Sequence, residues 1–194
     1  MKSKFKFGDI VDAEIVLNNN LLNHIHEGMK IFSVWEWEHW RGGKLIDTWK
    51  EKNLCTDEGL NHVIDVAFSA ATQITAWYIA LFEDDHTPAA GDTYAVPGFT
   101  ESTAYTETNR PAWQEAGPSA KVITNSANKA TFTINATKTI YGAALVGGGT
   151  GANTKDDQAG GGTLFCESQF SSGPKAVENT DVLKVTVTIT GADA

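Results

Sequence analysis

A single short helix, set among alternating strand and turn patterns, constrains the fold of this chain more than any other feature. The segment 53–68 reads NLCTDEGLNHVIDVAF and is followed at once by the apolar strand-like run ITAWYIALF. Thr56 is expected to cap this helix, and Asp57 and Glu58 place negative charge in the first turn, where the helix dipole favours it. Four apolar residues recur at helical spacing and predict a stripe that lies on a sheet: Leu60, Val63, Ile64 and Phe68.

The rest of the chain alternates strand patterns with turn signals. The clearest strand is 181–190, where apolar and mainly polar residues alternate and predict one apolar face. Residues 31–40 and 44–52 flank Arg41-Gly42-Gly43 and predict a hairpin. Further strands are predicted over 74–83, 112–116, 120–125, 130–135, 139–146 and 163–170. This pattern predicts a mainly β, jelly-roll-like β-sandwich with one short α-helix and an extended N-terminal arm.

The first 29 residues differ in composition from the sequence that follows. Phe5, Phe7 and Ile10 are isolated apolar residues among lysines, aspartates and an Asn-Asn-Asn turn signal. Such weak periodicity predicts an N-terminal arm over 1–29 that becomes ordered against a partner, and a β-sandwich domain over 30–194. We therefore predict that Phe5, Phe7 and Ile10 are interface residues.

Two long connections contain residue types found at ligand sites. The loop 147–162, GGGTGANTKDDQAGGG, lacks the Gly-Lys-Ser/Thr ending and the following helix of a phosphate-binding P-loop, so we expect an exposed flexible loop. The run Glu83-Asp84-Asp85-His86 contains metal-ligand types. Consecutive residues point in different directions, however, and a solvated turn is the favoured interpretation. We predict no metal and no cofactor.

Four tryptophans fall in the predicted hairpin: Trp35, Trp37, Trp40 and Trp49. Such rings could stack on sugars, but a role in a core or a protein interface is favoured. The spacing places Trp35 and Trp37 on one strand face and Trp40 on the other, and we predict all three as interface residues. The sequence has no Gly-x-Ser-x-Gly elbow and no local Cys–His signature, which predicts a protein that is not an enzyme. A pair of carboxylates for glycoside hydrolysis stays open as an alternative.

The net charge and the cysteine content limit which partners and which cellular compartment are expected. The net charge of −9 argues against nucleic-acid wrapping, which requires clustered Lys and Arg. A run of about twenty apolar residues and a secretion signal are both missing, so we expect synthesis in a cytoplasm and no membrane contact. Cys55 and Cys166 lie in apolar settings and predict two buried, reduced thiols, with a disulfide as the open alternative.

Four motifs occur in a fixed order along the chain: NL-x-T-x-EGLN, WYIALFE, GFTESTAYTETNRPAW and TDVLKVTVTIT. This order resembles that of small structural proteins of tailed-phage virions, the head decoration or cement proteins. The resemblance runs from about Ile31 to the C-terminus. It implies a non-enzymatic, jelly-roll-like protein on the capsid exterior, made in the host cytoplasm. It also implies a homotrimer that clamps adjacent major capsid proteins against internal DNA pressure, without direct contact to nucleic acid.

Two other functions compete with this interpretation. A tail-fibre or receptor-binding domain would recognise host glycans through the tryptophan hairpin. A glycan depolymerase would present a cleft with two facing carboxylates. The cement interpretation is preferred because a clamp requires interface area and stiffness rather than titratable groups with shifted pKa values.

Overall fold

A computed structural model of the chain describes residues 28–193. These contain one helix, α1 (Asp57–Phe68), and twelve strands. The strands are β1 (Met29–Arg41), β2 (Lys44–Lys52), β3 (Leu54–Cys55), β4 (Trp77–Phe82), β5 (Glu101–Ser102), β6 (Val122–Thr124), β7 (Ala130–Thr133), β8 (Lys138–Ile140), β9 (Gly142–Gly147), β10 (Thr163–Gln169), β11 (Lys175–Val177) and β12 (Val182–Asp193). The predicted β-sandwich class with one short helix is confirmed.

The described residues fall into two compact units. Phe32–Thr190 form the larger unit, to which the core, the helix and the sites below belong, whereas residues 28–31 and 191–193 belong to the other. The predicted arm, with Phe5, Phe7 and Ile10, lies outside the described residues except for its last two positions. Its boundary at residue 29 therefore stays a prediction.

Antiparallel pairing builds two five-stranded sheets. The first has the order β2-β1-β12-β6, with β7 also paired to β12, and the second has the order β3-β10-β9-β4-β5. Strands β8 and β11 form a separate two-stranded sheet. The two larger sheets contact each other where the Trp37 ring makes a T-shaped contact with Phe170, which follows β10, with centroids 5.2 Å apart. Apolar residues on the inward faces fill the space between them.

The strongest sequence patterns correspond to the longest elements. Strands β1 and β2 form the predicted hairpin around a two-residue Gly42-Gly43 turn. Strand β12 buries Leu183, Val185 and Val187 completely, as its alternation predicts. Both patterns are local, so the chain needs little long-range information to specify them.

Helix α1 begins as predicted but packs through a different face. The Thr56 hydroxyl accepts a hydrogen bond from the Gly59 amide at 3.0 Å and donates one to the Leu164 carbonyl, which confirms the N-cap. A Cβ added at Gly59 would lie 2.4 Å from the Phe165 carbonyl oxygen, so this glycine allows the helix to touch β10. Because that contact sets the rotation of the helix, Ile64 and Phe68 are exposed, and the prediction that they lie on a sheet is wrong.

Two shorter predictions require correction, and three short strands have no counterpart among the predicted elements. Residues 112–116 are not a strand, because the segment bonds to β4 only at the Trp113 amide and the Pro111 carbonyl before it leaves the sheet. The predicted strand 139–146 is broken at Tyr141 into β8 and β9, which belong to different sheets. The two- and three-residue strands β3, β5 and β11 were not predicted, because so few residues carry no readable alternation.

The two cysteines occupy directly opposite positions on β3 and β10. Both are thiols, with Cys166 fully buried and Cys55 half-buried. Burial raises the pKa of each thiol above its usual value, which keeps the thiols in the less reactive protonated form.

Candidate functional site

The hairpin tryptophans lie mainly in the interior. Trp35 and Trp37 are fully buried on the inward face of β1, and Trp49 on β2 is 8% exposed. Trp40 lies on the opposite face of β1 and is half-buried. The predicted division of Trp40 from Trp35 and Trp37 is confirmed, and Trp40 is the one of these three with an accessible surface.

The faces of the buried tryptophan rings stack on one another. Trp37 and Trp49 stack with centroids 5.7 Å apart and planes 2° from parallel, while Trp35 stacks on Trp37 at 6.2 Å. Phe170 makes T-shaped contacts with both Trp37 and Trp49. A sugar needs an open aromatic face, so these three tryptophans serve core packing.

Trp40 borders a polar surface on the outer face of the hairpin. Its indole Nε1 donates to Glu38 Oε2 at 2.9 Å, and Lys184 Nζ lies 5.0 Å from the ring centroid. A cleft of about 500 Å³ lies beside the hairpin, and its charged lining residues form two ion pairs: Glu36 with Lys50, and Glu38 with Lys129. The charges around this cleft are thus mutually compensated.

Helix α1 presents an apolar surface patch. Ile64 is 51% exposed and Phe68, one turn further along the same helix face, is 80% exposed. We call these two residues the helix patch. Large apolar side chains grouped on a surface are typical of contact sites for other proteins.

A buried arginine joins the two long connections. Arg110, which is 4% exposed, donates from Nε to Glu101 Oε1 at 2.9 Å and from Nη2 to Glu101 Oε2 at 2.5 Å. The same guanidinium donates to the carbonyls of Ala152 and Asp157 and to the Tyr94 hydroxyl. Burial lowers the pKa of Arg110, but the Glu101 carboxylate outweighs this effect and holds the pKa above its usual value. We call this set the Arg110 network.

The Arg110 network changes the expected character of the glycine-rich loop. The loop forms no strand or helix within 148–162, as predicted, but Ala152 is only 4% exposed. The Gly160 carbonyl accepts from the Thr150 amide at 2.8 Å, and Asp157 Oδ2 accepts from the Tyr94 hydroxyl at 2.8 Å. The prediction of an exposed loop is therefore wrong for its central part, because the loop supplies carbonyls to a buried charge.

A second charged group fixes the start of β12. Asp181 is 1% exposed and accepts two hydrogen bonds from Arg41, at 2.8 and 2.7 Å. His39 Nε2 lies 2.8 Å from Asp181 Oδ2. The Arg41 guanidinium is the main cause that holds the pKa of Asp181 well below its usual range.

Three potential metal ligands converge between the connection 83–100 and strand β10. His86 Nε2 lies 3.0 Å from Asp92 Oδ2 and 3.5 Å from Glu167 Oε2. One ligand atom from each of the three residues lies within 4.8 Å of the others. We call His86, Asp92 and Glu167 the His86 cluster.

Glu167 is the unusual member of the His86 cluster. Its side chain is fully buried in the middle of β10, and among residues 28–193 neither carboxylate oxygen finds a hydrogen-bond partner. Burial and, to a smaller extent, the Asp92 carboxylate raise the pKa of Glu167 to about 9. A buried acid without a hydrogen bond is costly, which makes this position stand out from an ordinary core residue.

The acidic run that the sequence singled out is divided among separate contacts. Glu83 pairs with Lys138, Asp84 accepts from the Thr100 amide, and Asp85 accepts from Gln169. Only His86 of the four belongs to the His86 cluster.

Sequence reasoning missed Asp92 and Glu167. The one available signal was Glu167 itself, a carboxylate inside the strand LFCESQF, where an acid among buried neighbours needs compensation. Asp92 carries no such signal, because it lies in a Gly-Asp turn that is equally typical of a solvated loop.

Neither a protein-family model nor a curated protein sequence matches the chain at a significant level. Residues 28–193 include no helix with the length and apolar character needed to cross a membrane.

Proposed function

We propose that this chain is a non-enzymatic structural protein of a tailed-phage virion. As a decoration or cement protein it would bind the exterior of the head and clamp adjacent major capsid proteins, after synthesis in the host cytoplasm. The proposal rests on the order of four sequence motifs, which resembles that of such proteins. The homotrimeric state and the major capsid protein as partner come from the resemblance alone.

The structural observation that supports the proposal is that residues of the four motifs make internal contacts. Glu58 of the first motif accepts hydrogen bonds from the amides of Tyr94, at 2.9 Å, and Leu164. Phe82 of the second motif stacks on Phe99 of the third with centroids 5.0 Å apart. The motifs therefore build internal bracing, and a protein that acts as a clamp needs such stiffness.

The third and fourth motifs add two buried charge pairs to this bracing. Glu101 and Arg110, both from the third motif, form the core of the Arg110 network. Asp181 is the second residue of the fourth motif and is held by Arg41. Paired charges of this kind fix geometry, which favours a structural role over acid–base chemistry for these residues.

Two surfaces are candidates for contact with the shell. One is the helix patch, whose exposed Ile64 and Phe68 suit an apolar contact. The other, expected from the sequence, is the arm with Phe5, Phe7 and Ile10. Separately, Trp40 is the accessible member of the predicted interface tryptophans. Apolar anchors of this type predict binding that survives moderate salt, unlike a contact steered by charge.

The test compares phage particles with and without the protein. A cement binds the closed shell and stabilises it by mass action, by about 2.7 kcal/mol per site at a hundredfold excess over the dissociation constant. Particles stripped of the protein should therefore release DNA at a lower temperature and recover when the protein is added back. Deletion of residues 1–20 should reduce occupancy on the particle, with circular dichroism as the control that the β domain stays folded.

A second variant separates the two surfaces. Phe68→Ser removes the larger residue of the helix patch, and loss of occupancy would assign the shell contact to α1. If stripped particles release DNA at an unchanged temperature but fail to adsorb to cells, the cement function is wrong. A tail-fibre or receptor-binding role would then replace it, with Trp40 as its accessible aromatic residue.

A further inference from the structure

We propose that His86, Asp92 and Glu167 bind a divalent transition-metal ion of the zinc class, which fastens the connection 83–100 to strand β10. This site is independent of the proposed virion function. It would be structural, since it ties a long connection to the middle of the second sheet. A loop fastened in this way holds its shape without a further strand.

The separations of the ligand atoms match those around a zinc ion. With bonds of about 2.0–2.2 Å, two ligands of a tetrahedral zinc ion stand about 3.3–3.6 Å apart. The Nε2 atom of His86 lies 3.0 Å from the Asp92 oxygen and 3.5 Å from the Glu167 oxygen. A cation between them would therefore require side-chain shifts of only a few tenths of an ångström for these two pairs.

The burial of Glu167 is the independent observation that points to a ligand. Its side chain is fully buried, and among the residues described neither of its oxygens has a hydrogen-bond partner. In the Arg110 network, by contrast, the buried Glu101 carboxylate receives two hydrogen bonds from a guanidinium. A metal ion would give Glu167 the positive charge that Arg110 gives to Glu101.

The other two ligands are held in position by their surroundings. Gly98 lies against the imidazole of His86 with a φ of +73°, and a Cβ there would come within 2.4 Å of His86 Cε1. The rings of Phe82 and Phe99 flank the same imidazole, with centroids 6.1 and 6.0 Å away. The Ala89 amide donates to Asp92 Oδ2 at 2.7 Å and orients that carboxylate.

The ligand set selects the class of metal. One imidazole nitrogen with two carboxylates suits Zn²⁺, and neighbouring ions such as Co²⁺ and Mn²⁺, whereas Ca²⁺ and Mg²⁺ prefer sites made entirely of oxygen. His86 and Asp92 keep 13% and 15% of their side-chain surface exposed, so an ion and a completing water molecule can reach the site from outside.

The competing explanation is a proton shared between the two carboxyl groups. A protonated Glu167 could donate to Asp92 and would need no metal. In both explanations the metal-free protein tolerates Glu167→Gln, so the stability of that variant does not distinguish them. Only the metal site predicts that Zn²⁺ binds and stabilises the parent protein, and the experiment tests this difference.

The experiment uses the full-length chain without a histidine tag. After treatment with EDTA and its removal, ZnCl₂ is titrated while the melting temperature is followed, and CoCl₂ is titrated while visible absorption is followed. One equivalent of Zn²⁺ should raise the melting temperature, and Co²⁺ should give the strong d–d bands of a four-coordinate site. MgCl₂ and CaCl₂ at the same concentration should produce much smaller shifts.

Three variants and two controls assign the site. His86→Gln, Asp92→Asn and Glu167→Gln should each weaken Zn²⁺ binding by at least about tenfold. His62→Gln and Glu115→Gln make the same chemical changes elsewhere and should leave Zn²⁺ binding unchanged. Because Glu167→Gln is isosteric and removes a buried acid, it should fold and melt no lower than the metal-free parent protein.

The titrations decide whether the His86 cluster binds a metal ion. Saturable 1:1 binding that is lost in the three variants and kept in the two controls supports the site. The proposal is overturned if Zn²⁺ leaves the melting temperature unchanged and Co²⁺ produces no d–d bands of a four-coordinate site, which leaves the shared proton as the explanation. It is equally overturned if the zinc response persists in all three variants.

Discussion

Two clusters of buried charge fix the long connections of this protein, and they differ in how their charges are compensated. In the Arg110 network a guanidinium meets a carboxylate, two carbonyls and a hydroxyl, all within the chain. In the His86 cluster two carboxyl groups meet one imidazole, and Glu167 has no hydrogen-bond partner among the described residues. A closed network supports the fold by itself, whereas an open cluster leaves a position for a ligand or a proton.

The largest expected effect comes from opening the closed network. Arg110→Met leaves the buried Glu101 carboxylate without its cation, which should reduce the free energy of unfolding by about 3–5 kcal/mol. Urea denaturation measures this loss. In the double variant with Glu101→Gln the charge is removed together with its partner, so part of the stability should return; an equal loss in both variants would contradict the pairing argument.

A second test concerns Asp181, whose charge is also compensated inside the chain. Its folded-state pKa lies below the usual 3.8, so its contribution is fully present above that value and decreases as the pH falls below about 4. Asp181→Asn should reduce the unfolding free energy by about 1.5–3 kcal/mol at pH 7. The difference between variant and parent should shrink in acid, as measured by thermal unfolding from pH 7 to pH 3. A constant difference would mean that the charge is not the cause.

The third prediction disturbs the open cluster through its neighbour. Gly98→Ala adds a methyl group against His86 at a position with positive φ, and should cost about 1–2 kcal/mol of stability. It should also weaken Zn²⁺ binding, because the imidazole must move. Gly43→Ala, where φ is also positive at +76° but an added Cβ meets nothing within 4 Å, is the matched control. Equal Zn²⁺ affinity in both variants would show that Gly98 does not position His86.

The smallest expected effect tests the difference between the Arg110 network and the His86 cluster most directly. Without metal, Glu167→Gln should leave the unfolding free energy unchanged or increase it by about 1 kcal/mol, since it removes a buried acid that has no hydrogen bond. The same change in the closed network, Glu101→Gln, should destabilise clearly because Arg110 then loses its anion. Urea denaturation of both variants compares them directly, and a similar loss in each would erase the distinction between the two clusters.

The parts of the fold that the sequence predicts are those specified by near neighbours. The N-cap at Thr56, the Gly42-Gly43 hairpin and the alternation of β12 all depend on residues a few positions apart. The rotation of α1 was not predictable, because it depends on a contact between Gly59 and the distant Phe165. Helical spacing identifies an apolar stripe, but it does not reveal which face meets the sheet.

The same distinction explains the outcome for the sites. His86 was noted from its acidic neighbours, yet its actual partners come from a turn six residues later and from strand β10. The pairing of Glu101 with Arg110 depends on how the third motif folds back on itself, which no local period encodes. Residues that meet through tertiary structure leave only indirect traces in a single sequence, such as an acid inside a buried strand.

The Arg110 network has a consequence for any attempt to display a foreign peptide on this protein. By composition the glycine-rich loop is the natural place for an insertion, because glycine-rich segments tolerate added length. Its Ala152 and Asp157 carbonyls, however, are bound by Arg110, so the loop should open only together with the sheet and its amides should exchange slowly with deuterium. The exposed Gly42-Gly43 turn is the better point of attachment, because a Cβ added at either glycine would have no neighbouring atom within 4 Å.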